Sequence, residues 1–235
     1  MNFNHKKFLL PFLLYAMKEW GIIAKSFDKT RKYPWKECIE FIDENRGKGI
    51  DIGCGNGRHL VYMGEKCDFA VGLDSSLEMI EISKRKTEGM DNVVLVCGNA
   101  CSLPFKENFF DFAIFVASLH NIKGRKNRIV ALKELMRVLK KNGRAIISVW
   151  AKWQDRWKKY FLKDFFYFFH GREHGDIYVP WKKNGLDIKR FYHLYSLREF
   201  RKDIKESGLK IERLWSVKKA SIKNPDNHFA IVFKD

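Results

Sequence analysis

The chain has no Cys-x-x-Cys pair, no internal repeat, no low-complexity segment and too few acids to balance its bases. Five cysteines, Cys38, Cys54, Cys67, Cys97 and Cys101, occur in odd number at irregular spacing. With no signal-peptide pattern, they read as reduced thiols in a cytosol, which disfavours a disulfide framework and gives a cytoplasmic protein. The most apolar stretch, FLLPFLLY at residues 8–15, is interrupted by Pro11. It falls short of the roughly 20 residues a bilayer span needs, so no membrane is expected. An amphipathic helix or a partner-binding extension remains open for it. His170 and His174 stand four apart with Gly171 between them and no third ligand in view, so no metal site is expected.

The shortage of acids is uneven. The chain carries 45 Lys/Arg against 28 Asp/Glu, for a net charge of +17. Residues 1–36 hold 8 basic and 2 acidic side chains, and residues 37–149 hold 17 and 15. Residues 150–206 hold 14 and 8, and residues 207–235 hold 6 and 3. Basic flanks around a near-neutral centre suggest a polyanionic substrate such as nucleic acid. At 235 residues the chain supports one large α/β domain with decorations, or one domain and a half, and can bury a core without staples.

The most informative stretch is KGIDIGCGNGR at residues 48–58. Ile50 and Ile52 around Asp51 read as a strand, Gly53, Gly55 and Gly57 as a turn, and Arg58 onward as a helix. Glycines at a strand-to-helix turn allow positive φ and close approach of backbone to a ligand. The Asp-x-Gly-x-Gly-x-Gly spacing differs from the dinucleotide pattern and resembles the S-adenosylmethionine loop of Rossmann-like methyltransferases. Phe69–Leu73 reads as a second buried strand ending at Asp74, placed to bind ribose hydroxyls. Ser75 is grouped with it in the cofactor set, and Ser75 and Ser76 are rival caps for the next helix.

Further along, Leu77–Glu88 reads as a helix, Val93–Cys97 as an apolar strand and Asp111–Val116 as a fourth strand. Arg125–Lys140 has helical period, Asn142-Gly143 is a turn and Arg144–Val149 is a fifth strand. A helix at Leu197–Glu206 precedes two closing strands, Leu209–Val217 and His228–Phe233, read as an antiparallel pair. The fold class is therefore α/β, a Rossmann-like, doubly wound, mostly parallel seven-stranded sheet. The expected divisions are an N-terminal extension 1–36, a cofactor-binding core 37–149, an aromatic and basic insertion 150–195 and a closing segment 196–235. The insertion interleaves Trp150, Trp153, Trp157, Tyr160, Phe161 and Phe165–Phe169 with Lys152, Arg156, Lys158, Lys159 and Lys163. Such aromatics either stack on bases or face a cap's interior.

In doubly wound sheets ligands sit outside the carboxyl ends of the strands. Asn99 and Ala100 follow the third strand and should edge the adenine, Asn99 accepting through its carbonyl. His120 and Asn121 follow the fourth, where an acceptor would meet the methyl group. No Asn/Asp-Pro-Pro-aromatic run follows that strand, which disfavours methylation of an exocyclic base amine. No cysteine stands in a Pro-Cys context, which removes the nucleophile for carbon methylation. An oxygen or nitrogen that is already nucleophilic remains.

FDKTRKYPW at residues 27–35 resembles the N-terminal signature of the tRNA wobble-uridine methyltransferases, which esterify 5-carboxymethyluridine at position 34. Val149-Trp150-Ala151, Val179-Pro180-Trp181 and Arg190-Phe191-Tyr192-His193 are similar to further segments of that family, over about residues 19–235. The resemblance implies S-adenosylmethionine as cofactor and a tRNA anticodon loop as substrate. It places Asp28, Arg31, Trp35, Asn121, Arg190, Tyr192 and His193 at the substrate, with His120 and Arg31 at the chemistry. Arg31 and Arg190 either clamp the carboxylate or grip phosphates; Trp35 either stacks on a base or anchors the N-terminal helix. Arg31 has a rival reading as a salt bridge to Asp28. The sequence departs from the family at Lys36, where a second proline is usual, at Asn99, where an acid is usual, and at Asn121, where a second histidine is usual. The family works with a small zinc-binding activator, which implies a heterodimer in which a partner strand joins the edge at Val93, Val94, Leu95 and Val96. The competing readings are a small-molecule O- or N-methyltransferase and a binding module with a degenerate cofactor fold.

Overall fold

The computed structural model describes residues 10–163 and 171–235, with side chains from Glu19 onward. Phe165, Phe166, Tyr167, Phe168 and Phe169 of the aromatic stripe, His170 of the histidine pair and the side chains of residues 8–15 lie outside the described residues. In chain order the elements are α1 (Leu10–Thr30), α2 (Lys36–Glu44), β1 (Lys48–Ile52), α3 (Arg58–Lys66), β2 (Phe69–Asp74), α4 (Leu77–Lys86) and β3 (Val93–Cys97). There follow β4 (Phe110–Val116), α5 (Arg125–Val138), β5 (Leu139–Trp150), α6 (Lys158–Lys163), β6 (Asp176–Trp181) and β7 (Ile188–His193). The chain closes with α7 (Leu197–Ser207), β8 (Lys210–Val217) and β9 (Asn227–Phe233).

Seven strands form one sheet in the order β3-β2-β1-β4-β5-β9-β8. Pairing is parallel from β3 to β5 and antiparallel at β5–β9 and β9–β8. The period-2 alternation of β4 explains the two faces. Phe112, Ile114 and Val116 pack with Cys38, Phe41 and Ile42 of α2 and Leu60 and Met63 of α3. Ala113 and Phe115 pack with Leu132 and Leu135 of α5 and Phe200 and Ile204 of α7. Each such large side chain contributes about 1.5–3 kcal/mol by leaving water. The strand order reverses between β1 and β4, which opens a crevice at their carboxyl ends.

Two parts of the sequence reading change. Strand β5 begins at Leu139, five residues before Arg144. Asn142 does take the turn conformation, with φ of 60°, but the ladder runs past it through a bulge, pairing Phe110 with Leu139 and then Phe112 with Arg144. The insertion contains an antiparallel hairpin, β6 with β7, which the sequence reading left without elements. Ile177, Val179 and Trp181 are buried on one side of β6 while Tyr178 is exposed. Pro180 within that alternation masked it, yet proline is compatible with a strand that has a free edge.

Helix α1 joins this hairpin to the core. Its Ala24 packs on Met79 and Ile82 of α4, and its Trp20 packs with Ile177, Val179 and Tyr192 of the hairpin. Trp181 Nε1 and Asn184 Nδ2 both donate to Ser26 Oγ at 2.8 Å.

Candidate active site

The glycine loop turns on three left-handed residues, Gly53, Gly55 and Gly57, with φ of 72°, 55° and 75°. A Cβ on Gly53 would lie 2.2 Å from Ser118 Oγ, so its absence lets the loop after β4 pack on the loop after β1. A Cβ on Gly55 would meet only the Phe27 ring, at 3.8 Å, so the backbone there borders open space. Asp74 ends β2 and holds this loop: Oδ2 accepts from Gly55 N and Oδ1 from Ser76 N, each at 2.9 Å. Each oxygen keeps acceptor capacity. Burial raises the pKa of Asp74 against those backbone bonds. Ser76, not Ser75, caps α4 by accepting from Met79 N at 3.3 Å, so Ser75 is left out of capping.

Asp51 is buried and its Oδ2 has no hydrogen-bond partner. His59 Nε2 accepts from Trp35 N at 3.2 Å, which puts the proton on Nδ1, 3.9 Å from that oxygen. Burial pushes the Asp51 carboxyl up to about 7. Beyond β3, Asn99 Oδ1 accepts from Cys101 N at 2.9 Å, so one lone pair of its carbonyl already shapes the turn that carries Ala100. An orphaned acceptor at Asp51, remaining lone pairs on Asp74 and open backbone at Gly55 fit S-adenosylmethionine, which brings an ammonium group and a ribose diol.

Across the crevice, three rings stack. Trp150, at the exit of β5, lies 4.6 Å from Tyr192 of β7 at an interplanar angle of 11°. His120 lies beside both, 5.3 Å from Tyr192 at 25° and 5.6 Å from Trp150 at 32°. Trp150 N donates to His120 Nδ1 at 3.1 Å, which fixes the ring proton on Nε2. Burial, then the charges of His193 and Arg190, drive the His120 pKa down to about 3, so the ring is neutral. Its neighbour Asn121 donates to Ala117 O at 3.1 Å while its Oδ1 has no partner.

Arg190 is buried among aromatic faces, its guanidinium carbon 4.8 Å from the Trp181 ring, 5.1 Å from Tyr192 and 5.4 Å from Trp20. One nitrogen donates to Tyr192 Oη at 2.5 Å, and Nε has no acceptor. No carboxylate among the described residues stands within ion-pair distance of it; Glu19 acts on it through its field. Burial pushes the Tyr192 phenol up to about 12. The sequence reading missed Glu19, Trp20, Ser26 and Asn56. The spacing of Trp20, Ala24 and Phe27 is helical and carried that signal.

Other predicted residues take different places. Asp28 does not pair with Arg31. Its carboxylate accepts from Asn56 Nδ2 at 2.8 Å and from Lys86 Nζ, bonds that hold its pKa low against burial. Arg31 is half-buried, its guanidinium 5.8 Å from the Phe27 ring and donating to Thr30 O at 3.2 Å, and its own carbonyl accepts from Asn56 at 2.8 Å. Asn56 thereby ties the end of α1 to the glycine loop. Trp35 packs on Phe229 at 5.7 Å with Arg58 and Lys219 over its face, the geometry of an anchor. His193 is corrected most. Its Nδ1 meets Asp176 Oδ1 at 2.8 Å and its Nε2 meets Glu199 Oε1 at 2.9 Å, so neither nitrogen can orient a substrate. Burial alone would lower its pKa; the two carboxylates outweigh that and raise it.

Strand β3 is one of the two terminal strands of the sheet, β8 being the other, and its Val94 is 42% exposed. No helix among the described residues is long and apolar enough to cross a membrane.

The methyltransferase domain profile matches residues 50–147. The tRNA (carboxymethyluridine(34)-5-O)-methyltransferase of Schizosaccharomyces pombe is 26% identical over 83% of this chain and 88% of its own length. That of Xenopus tropicalis is 36% identical over 60% of this chain but 22% of its own length. The chain therefore spans nearly all of one relative and under a quarter of another. A protein of Encephalitozoon cuniculi named only as a methyltransferase is 30% identical over 80% of this chain and 83% of its own length. Among solved structures, a SAM-dependent methyltransferase of Methanosarcina mazei superposes with a TM-score of 0.71 at 21% identity, covering 86% of this chain and 98% of that one. A chain from the complex of the Haloferax volcanii Trm112 methyltransferase activator with a methyltransferase superposes at 0.66 and 16% identity, covering 93% and 96%. With the glycine loop, Asp74 and the sheet order in place, the chain belongs to the class I S-adenosylmethionine-dependent methyltransferases.

Proposed function

We propose that this protein methylates the carboxylate of 5-carboxymethyluridine at the wobble position of tRNA. The observation that carries the reading is Arg190, a buried guanidinium ringed by aromatic faces, with an orphaned Nε and no carboxylate partner among the described residues. A buried cation lacking its counter-ion is strongly destabilising, and a planar carboxylate matches a guanidinium fork in shape and charge. The relatives from S. pombe and X. tropicalis are named for the same acceptor, which supports the reading.

S-adenosylmethionine, when bound, supplies an electrophilic methyl group. The acceptor carboxyl titrates at about 4 and is ionised at neutral pH, so the protein needs no general base. Arg190 and Arg31 orient the carboxylate, and the neutral His120 offers its Nε2 proton as a hydrogen bond. The stack of Trp150, Tyr192 and His120 excludes water and fixes the line of attack, the main contribution a transfer of this kind requires. With the cofactor bound, a carboxylate oxygen held by Arg190 and Arg31 would take its methyl group, the sulfur keeping the electrons of the broken bond, with no proton moved.

The partner reading rests on β3. Its outer backbone edge and the exposed Val94 suit strand addition by a small zinc-binding activator, making a heterodimer that works on RNA in the cytoplasm. The function is tested by nucleoside mass spectrometry of tRNA from cells lacking this chain. Loss of the wobble-uridine methyl ester with accumulation of the free acid is expected; unchanged ester would overturn the reading.

A further inference from the structure

On the far side of the segment that carries Arg31, residues 28–34 wall a cavity of about 570 Å³ against α3 and the end of α4. Its lining includes Lys29, Lys32, Arg58 and Lys86, over a partly apolar floor of Pro34, Val61 and Tyr62. The acids that face it are Asp28 and Glu65. Asp28 is already engaged by Lys86 and Asn56, and Glu65 makes no ion pair among the described residues. Lys29, Lys32 and Arg58 also lack a carboxylate within ion-pair distance among the described residues. Arg58 is held in place, half-buried, with its guanidinium 5.3 Å from the Trp35 ring. Its pKa is lowered first by burial and further by the charge of Arg31, against the field of Asp51. A concave site with three cations that make no ion pair, against the single unpaired acid Glu65, and with one guanidinium fixed on an aromatic face, calls for an anion larger than a single ion.

We propose that this cavity binds the phosphodiester backbone of the RNA that supplies the acceptor nucleotide, resting on the tRNA reading above. Residues 28–34 then present two faces. The Arg31 guanidinium lies 5.8 Å from the Phe27 ring, and that ring approaches Gly55, which puts Arg31 on the side of the glycine loop. Lys29, Lys32 and Pro34 lie on the cavity side. One strand of RNA gripped on the second face is thereby held while its nucleotide reaches the first.

The test is the Lys29→Glu/Lys32→Glu double variant of the full chain, with binding of fluorescently labelled tRNA followed against salt. Loss of two phosphate contacts lowers tRNA affinity about tenfold or more and reduces the slope of log affinity on log salt by about one to two. Melting temperature and S-adenosylmethionine affinity, measured by calorimetry without RNA, stay at wild-type values. Unchanged tRNA affinity and salt slope in the double variant, alongside a wild type that methylates tRNA, would overturn this inference alone. Failure of the wild type to bind or methylate tRNA would instead remove the functional reading beneath it. Pyrophosphate is the probe for the other source of the same chemistry. Micromolar pyrophosphate binding that tRNA does not displace would assign the cavity to a free nucleotide and overturn the RNA assignment.

Discussion

Arg190 and Tyr192, two residues apart on β7, face the same way, and the guanidinium donates to the phenol oxygen at 2.5 Å. The bond aims the arginine but leaves its charge without a counter-ion among the described residues. Replacing Arg190 with Lys keeps the charge and removes the planar fork. Truncating one member of a desolvated charge pair costs roughly 2–5 kcal/mol, so kcat/KM for tRNA should fall by about 30-fold or more in Arg190→Lys. S-adenosylmethionine affinity should hold. Equal losses in tRNA turnover and cofactor affinity would show that Arg190 supports the fold rather than the acceptor.

In the proposed reaction His120 acts through its geometry. Its pKa of about 3 lies far below working pH, so it cannot act as a base that switches on near neutrality. The kcat–pH profile should therefore show no histidine limb between about pH 5.5 and 8, where an unperturbed histidine would titrate. His120→Asn should lower kcat by up to about 100-fold, as misplacement of an acceptor does, without changing the profile's shape. A rising limb near pH 6.5 that disappears in the variant would assign it a proton-transfer role.

The sheet was legible because its signals are local. Gly53, Gly55, Gly57 and the apolar strand ending at Asp74 each declare themselves within a few residues. The acceptor pocket was legible only in pieces. Arg190 and Tyr192 were marked by resemblance, but nothing local shows that Trp20 and Trp181 flank the guanidinium. The pairing of His193 with Asp176 and Glu199 joins β7 to β6 and α7, a tertiary fact with no trace in spacing. Asp28 and Arg31 looked like partners at helical spacing, yet Asn56 and Lys86 compete better for the carboxylate.

Asp74 accepts from two backbone amides while facing the cofactor crevice. Asp74→Ala removes the loop tether and, with it, the proposed ribose acceptor. Hydrogen bonds to a charged group contribute about 1.5–3 kcal/mol each, so S-adenosylmethionine affinity should weaken by about 10- to 100-fold in calorimetry. Unaltered affinity would exclude the ribose role.

Val94 is the exposed apolar side chain of the terminal strand β3. Lysine at such a position is a device by which proteins keep edges unpaired. In cells that contain the proposed activator, Val94→Lys should abolish its co-purification while leaving the melting temperature of the isolated chain within experimental error. Co-purification undiminished by the lysine would place the partner elsewhere.

The imidazole of His193, gripped by Asp176 and Glu199, makes stability depend on pH in a direction that can be worked out. Its folded-state pKa is raised above the unfolded value, so the folded protein holds this proton more tightly. The stabilisation is then present in full below the ordinary histidine value of about 6.5 and is lost as pH rises through the raised folded value. Other groups shift the wild-type curve too: His120 is neutral when buried and therefore favours folding less as pH falls below about 6.5. The difference between wild type and His193→Gln isolates the one group. Wild type should exceed the variant in melting temperature by more at pH 6 than at pH 9. A gap constant across that range would mean that His193 titrates alike in the folded and unfolded chain, and a gap smaller at pH 6 than at pH 9 that it is held neutral; either result would overturn the raised value.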